Sequence, residues 1–578
     1  MLVGISAIGG SLLAPRSVAA ADSPDDEKPL VEPEQPDDPP GIPARDSGLR
    51  TPAMHGDSPQ GGIAGVAASF VQVNLDELGQ NIVGDAANEP SIAIDPTAPN
   101  RMAIGWRQFA TIKSNFRQAG WGWSNDGGRT WTFPGVLEDI FRSDPVLAAN
   151  SQGQFFYLSL RNNFLCDMFI SDDGGQTWNA PFPAFGGDKP WFTIDRSGLQ
   201  TDGDIVVSWS DFAGCCDDDT LTTSIDGGMT YTVPVDIPLD PIFGQLAAGP
   251  SGEVLIAGRQ ASTNTMFAAA RVLTPLGPGT PRFEFGVEID LGGAMIGSQG
   301  PNPAGLLGQA NIDIVRGEGP TSGHIYLLCS VNPPPQPPDD DPLDVHIVRS
   351  TDGGLSWSKP VRVNDDPIGT NAWQWFGTMS VAPSGRIDVI WNDTRSDPTA
   401  TFSEVFYSSS IDGGATWSAN VPLTLPFNHF LGYPQQNKLG DYYHMISDNV
   451  GANLAFAATF NGEQDVYFMR IGEYDCNGND IADSLDIASA ASLDCDCDGI
   501  PDECEIAAGA EPDLNRDGVL DACASGGDLD GDGDVGPSDL AALLAQWGSD
   551  PNGPPDFNDD NTIDAADLAE LLAAWGGC

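Results

Sequence analysis

An eight-residue turn, written five times, constrains this chain more than any other feature. It reads SNDGGRTW at Ser124–Trp131, SDDGGQTW at Ser171–Trp178, SIDGGMTY at Ser224–Tyr231, STDGGLSW at Ser350–Trp357 and SIDGGATW at Ser410–Trp417. The glycine pair lets the backbone take positive φ in a tight hairpin turn. The Asp carboxylate and Ser hydroxyl can satisfy the turn's own backbone groups, and Thr or Ser re-enters a strand. The aromatic ring covers the gap between neighbouring sheets. The box serines lie 47, 53, 126 and 60 residues apart, so the long gap reads as two repeats whose middle turn has degenerated over Phe267–Phe285.

Seven segments align around these turns, each with an apolar inner strand, a second and third strand and a closing strand. The inner strands run from Ser91–Ile94 to Tyr443–Ser447. Short strands at such a period, separated by Gly-rich turns, predict an all-β chain. The expected fold is a seven-bladed β-propeller of four-stranded antiparallel blades over 70–473, or six-bladed if one segment is an insertion. Its last blade is closed either by Val466–Ile471 or by Phe70–Asn74.

The repeated turn resembles the Asp-box (BNR) repeat of sialidases and related propellers. The resemblance implies that the box aspartates are structural and that any active site lies on the opposite face. In a four-stranded meander that face collects the ends of second strands and the starts of inner strands. Arg107, Arg161, Arg259 and Arg395 fall there, as do Glu89, Asp144, Asp188 with Lys189, Trp375, Asp441 and Tyr442. Arginine grips carboxylates bidentately, aromatics stack on sugar rings, and paired carboxylates can act as acid and base. By analogy with sialidases, Asp144 or Glu89 is the candidate acid/base and Tyr442 or Tyr443 the nucleophile. Arg107, Arg161, Arg259, Arg395 and Trp375 are the candidate substrate contacts. The Phe/Tyr-Arg-Ile-Pro motif of that family is absent, since Phe116-Arg117-Gln118 does not match it. The expected activity is a sialidase-like glycoside hydrolase on extracellular glycans; the alternative is a non-catalytic glycan-binding or adhesion propeller.

At Tyr474 the composition changes. Asp475, Asn477 and Asn479; Asp494, Asp496 and Asp498; and Asp513, Asn515 and Asp517 repeat one acidic pattern, which resembles thrombospondin type 3 calcium repeats over 474–525. Two longer loops follow over 526–578. The first offers Asp528, Asp530, Asp532, Asp534 and Asp539, and the second Asp556, Asn558, Asp560, Thr562 and Asp567. Oxygen ligands at loop positions 1, 3, 5 and 12, each loop leading into an apolar helix, are the EF-hand requirement for Ca2+. The pair resembles a type I dockerin, which implies a cohesin or cell-surface partner. At the positions where dockerins contact cohesin, however, stand Pro537-Ser538 and Ala565-Ala566.

The 82 acidic against 25 basic side chains give a net charge of -57, which argues against nucleic acid as a partner. No internal apolar run is long enough for a membrane span. Residues 1–21 read as a signal peptide ending in small residues, so the chain is expected to be secreted. Residues 22–69, rich in Pro and Asp, are expected to be a disordered spacer. Six of the ten cysteines lie in the acidic tail. The vicinal Cys215-Cys216 is either an oxidised turn or a pair of partners for Cys166 and Cys329.

Overall fold

The computed structural model describes residues 48–57, 66–211, 213–277, 279–334, 341–495, 498–509, 520, 529, 535–549, 555–556 and 562–573. Its inner strands are Ala86–Ile94, Arg142–Ala149, Trp191–Ile194, Pro241–Ala248, Asn311–Ile314, Gln374–Val381 and His444–Ser447. Each packs against the next in that order, and the last returns to touch the first. They form the core of a seven-bladed propeller built from four-stranded antiparallel blades.

The degenerate repeat is a complete blade of Pro241–Ala248, Val254–Gln260, Phe267–Val272 and Phe283–Ile289. The ring closes with strand Ala68–Gln72 paired to Asp465–Gly472, so both expected candidates belong to the last blade, as its fourth and third strands. A fifth strand, His55–Asp57, pairs with Ser69–Val71, and Arg50–Pro52 pairs with Gln80–Ile82. Part of the expected spacer is therefore ordered. Backbone pairing holds it to a sheet edge, which a composition poor in apolar residues does not reveal.

Strand register places all five boxes at one end of the ring. Their serines Ser124, Ser171, Ser224, Ser350 and Ser410 face Met102, Phe155, Ile205, Ile325 and Ile387, the first residues of the second strands. Within the box of blade two, Ser171 Oγ donates to Asp173 at 2.8 Å and accepts from the Gly175 amide at 2.9 Å. Asp173 accepts the Thr177 amide at 2.9 Å and its hydroxyl at 2.5 Å. The second glycine does more than turn the chain. A Cβ on Gly128 would meet the Phe468 ring at 2.3 Å, and one on Gly175 would meet Ala103 at 2.7 Å. Each of these glycines presses against the preceding blade, so the box joins blades as well as strands.

Cys215 and Cys216 form a vicinal disulfide, while Cys166 and Cys329 are free and buried. Beyond the propeller, a Cys476–Cys504 disulfide ties helix Asp502–Ala508 to the loop preceding helix Asp483–Ala488. Helices Pro537–Ala545 and Ala565–Ala573 follow, sharing the buried Leu543, Ile563 and Leu571. No helix among the described residues is long and apolar enough to cross a membrane.

Candidate functional site

At five inner strands a residue within the first four positions, or just before the strand, is held in the left-handed region. These are Glu89 (φ 52°), Asp144 (46°), Lys189 (52°), Phe243 (53°) and Phe376 (58°). The next residue is Pro90, Pro145, Pro190, Gly244 or Gly377. Four of the five sit at irregularities in strand register, where an extra residue redirects a side chain. Proline suits such a position because it has no N–H to leave unpaired. Each kink carries about 1–3 kcal/mol of backbone strain.

Three of these kinks deliver charged groups to one buried cluster at the end of the ring opposite the boxes. Lys189 Nζ lies 2.6 Å from Asp441 and 3.6 Å from both Asp144 and Asp188. Lys438 Nζ lies 2.7 Å from Asp441 and 3.4 Å from Glu89, which is also 3.2 Å from Arg107 Nε. Arg117 adds its charge, held by Ser143 and Asn115 and stacked 4.6 Å over Phe141. The Tyr442 hydroxyl donates to the Pro145 carbonyl at 2.8 Å. The side chains of Glu89, Asp144, Lys189, Asp441 and Arg107 have no solvent exposure.

The cover is the segment Gln436–Asp441. The Gln436 side chain accepts from Arg107, and the Asn302 side chain donates to the Gly440 carbonyl and accepts the Leu439 amide. The Leu306 amide donates to Asp441 at 2.7 Å, so the hairpin Gly297–Leu306 clamps the segment down.

Burial and pairing push the carboxyls apart. Burial raises Glu89 to about 7 against the pull of Arg107, Lys438 and Lys189. Burial likewise raises Asp188 to about 6. It would raise Asp144 too, but Lys189 and Arg107 outweigh it and hold that group at about 2. Asp441 lies well below the carboxylate range because two lysines and Arg107 overcome its burial. Burial lifts the Tyr442 phenol well above its ordinary value, and the carboxylates Glu89 and Asp144 add to the rise. One carboxyl poised near neutrality beside one firmly ionised is the arrangement that acid–base chemistry uses.

Of the sequence candidates, the structure gathers Glu89, Asp144, Arg107 and Tyr442 in this cluster. The others stand apart. Arg161 is 3.6 Å from Asp167 and half-exposed. Arg259 donates to the Thr263 carbonyl and stacks 5.4 Å over Phe243. Arg395 pairs with Asp393 at 2.8 Å and Asp365 at 2.6 Å. Trp375 is fully buried, its N–H donating to Ser403, and so offers no face to a sugar. The Tyr443 hydroxyl donates to the Ala457 carbonyl and accepts from Asn392. Lys438 and Arg117 were not singled out from sequence. With so few basic residues in the chain, a lysine three positions before Asp441 was the available signal.

In the acidic tail, the Asn477 and Asn479 amides both donate to Asp486, the twelfth residue counted from Asp475. Asp475 accepts the backbone amides of Asn479 and Asp480. Burial raises both Asp475 and Asp483. Asp539 accepts the Leu529 and Gly536 amides, and Asp567 the Asp564 amide. Asp494, Asp498, Asp556 and Thr562 are described; Asp496, Asp513, Asn515, Asp517, Asp528, Asp530, Asp532, Asp534, Asn558 and Asp560 lie outside the described residues. No three His, Cys, Asp or Glu side chains among the described residues form a ready metal-binding group.

A family signature described as BNR/Asp-box repeat matches residues 169–180. No curated protein sequence matches the chain. Among solved structures, a Dyadobacter fermentans protein of unknown function is similar at 12% identity and TM-score 0.41, covering 70% of this chain and 97% of that one. The leech intramolecular trans-sialidase is similar at 11% identity and TM-score 0.34, covering 59% and 68%. The Trypanosoma rangeli sialidase is similar at 11% identity and TM-score 0.33, covering 70% and 59%.

Proposed function

We propose that this protein is a secreted glycan-recognition propeller that binds its ligand without hydrolysing it. One observation carries the reading: Glu89, Asp144 and Tyr442, the side chains that hydrolysis would need, are buried beneath Gln436–Asp441, with Glu89 paired to Arg107 and Lys438 and Asp144 to Lys189. Of the four candidate arginines, Arg161 and Arg395 pair with carboxylates of their own blades, which speaks against a grip on substrate. A second reading, a glycoside hydrolase, draws on Glu89 at about 7 beside Asp144 at about 2, and would require the covering segment to open. Purified protein tested on fluorogenic sialosides and other glycosides, with a glycan array in parallel, separates the two. Binding without turnover supports recognition. Fluorophore release that disappears in Asp144→Asn or Tyr442→Phe overturns it.

The tail is proposed to hold Ca2+ and to attach the propeller to a cohesin or cell-surface partner. The oxygen donors present are those a hard cation takes. In the first repeat Asp475, Asn477, Asn479 and Asp486 would hold it, with Asp486 the residue the sequence pattern left out; in the second, Asp494, Asp498 and Glu505 occupy the same spacing. Bound there, calcium would supply charge that offsets the gathered carboxylates. Calorimetric titration of the full chain, with proteolysis of the tail followed with and without chelator, tests this. Identical cleavage in both conditions and no heat of binding would remove the metal.

A further inference from the structure

Lys438 and Asp441 both belong to the cover, and the turn between them brings their side chains together. Gly440 makes that turn at φ 98°, and a Cβ there would meet Glu89 Cγ at 2.7 Å, so glycine is what lets the segment lie so close. Lys438 Nζ donates to Asp441 Oδ2 at 2.7 Å and lies 3.4 Å from Glu89 Oε1. Lys189 Nζ holds the same Oδ2 from another side at 2.6 Å, while the Leu306 amide donates to Oδ1 at 2.7 Å. Lys438, Asp441 and Glu89 are all buried.

These are the parts of an acyl-transfer site. An amine touches a carboxyl, a backbone N–H holds the oxygen on which charge would build, and a second carboxyl stands by the nitrogen to carry protons. Of the two lysines, Lys438 is the one suited to attack. Burial lowers it, and the charges of Lys189 and Arg107 push the same way, against the pull of Asp441 and Glu89. Lys189 is unsuited, because Asp144, Asp188 and Asp441 overcome its burial and keep it firmly charged. Glu89, at about 7, can both take up and give back a proton.

In water an ammonium and a carboxylate outlast their amide, because each ion is well hydrated. Burial strips that hydration from both, a penalty that the neutral amide escapes. Contact at fixed geometry also removes the entropic cost of bringing the two groups together. We propose that Lys438 and Asp441 join in an intramolecular isopeptide bond. Nζ of Lys438 bonds to Cγ of Asp441 and the Cγ–Oδ2 bond breaks. The two protons that the ammonium gives up leave on Oδ2 as water. Glu89 takes them from the nitrogen and hands them to the oxygen, ending as it began, while Lys189 steadies Oδ2 as it departs. No oxidant or other reactant is needed. The reaction removes one charge of each sign, so the balance beneath the cover is kept. Glu89 is then left with Arg107 alone of its two close partners, and its burial still holds it high. The bond goes beyond the recognition reading and does not depend on it.

The test is the mass of the purified full chain, denatured and with its disulfides reduced. Wild type is expected to be lighter than Lys438→Gln by one water, since that substitution barely changes the residue mass. Trypsin is expected to cut wild type after Arg395 and Arg470 but not after Lys438. It should release 396–470 as a single peptide short of one water, and fragmentation should place the link between Lys438 and Asp441. The peptide is read on wild type alone, so the result holds even if the variant misfolds. Wild type at its full sequence mass, with trypsin cutting after Lys438, would overturn the proposal. So would a missing water that maps to Lys189 and Asp441, or one still missing in Lys438→Gln.

Discussion

Glu89 is a carboxyl kept in place at the expense of stability, and replacing it with glutamine should show this as a function of pH. Its folded value of about 7 stands above the ordinary 4.5. A raised acid contributes stability that is present below 4.5 and is lost as pH rises through 7, because the folded state holds a proton that the unfolded chain has released. The difference is worth about 3 kcal/mol once both states are ionised. Glu89→Gln keeps the shape of the protonated form and has nothing to release. At pH 4.5 the two proteins should melt within a degree or two of each other. At pH 8 the variant should be the more stable, by on the order of 4 °C for a propeller of this size, where entropy of unfolding scales with chain length. Melting curves followed by circular dichroism at half-unit steps from pH 4 to 9 give the comparison directly. Other buried carboxyls, such as Asp465 at about 7, titrate in the same window, but they are common to both proteins and cancel in the difference. A variant that melts lower than wild type at pH 8, or two curves that stay parallel, would show that Arg107 and Lys438 outweigh the burial of Glu89 and would refute the reasoning.

Gly128→Ala should cost about 3 kcal/mol or more, since the site combines φ of 86° with a Cβ 2.3 Å from the buried Phe468 ring; denaturant unfolding measures it. Asp173→Ala removes the acceptor of the Ser171 and Thr177 bonds and should cost about 2 kcal/mol at pH 7. Burial would raise Asp173, but the bonds from Thr177 and Ser171 together outweigh it and lower the group, so its contribution is present above pH 3.8 and fades below it, and the gap between variant and wild type should narrow in acid. Phe70→Ala should cost about 3–5 kcal/mol, because that ring packs on Phe456, Phe460 and Tyr467 where the ring closes. Hydrogen exchange should then rise first in Asp465–Gly472.

The box turns made the propeller legible, since their hydrogen bonds are local and their spacing is the blade period. The blade without a box was legible too, because Val254–Gln260 keeps its apolar run without the turn. Strand alignment also identified the end of the ring where Glu89, Asp144 and Asp441 would gather. What alignment could not supply was the cover. Gln436–Asp441 belongs to an irregular excursion between blades six and seven, and nothing in its composition says that Lys438 turns inward to Asp441. The X-Pro or X-Gly pair at five inner-strand starts was a readable sign of the kinks.

Strand Ala68–Gln72 finds its neighbour about four hundred residues downstream, at Tyr467–Ile471. During synthesis it must wait, with its hydrogen-bonding edge open, while six blades form behind it. Contacts so remote in sequence slow folding, and an unsatisfied edge invites pairing with another chain. Yield of the intact protein should therefore depend on how dilute the nascent chains are kept, and supplying the first strand as a separate peptide should compete with closure rather than assist it.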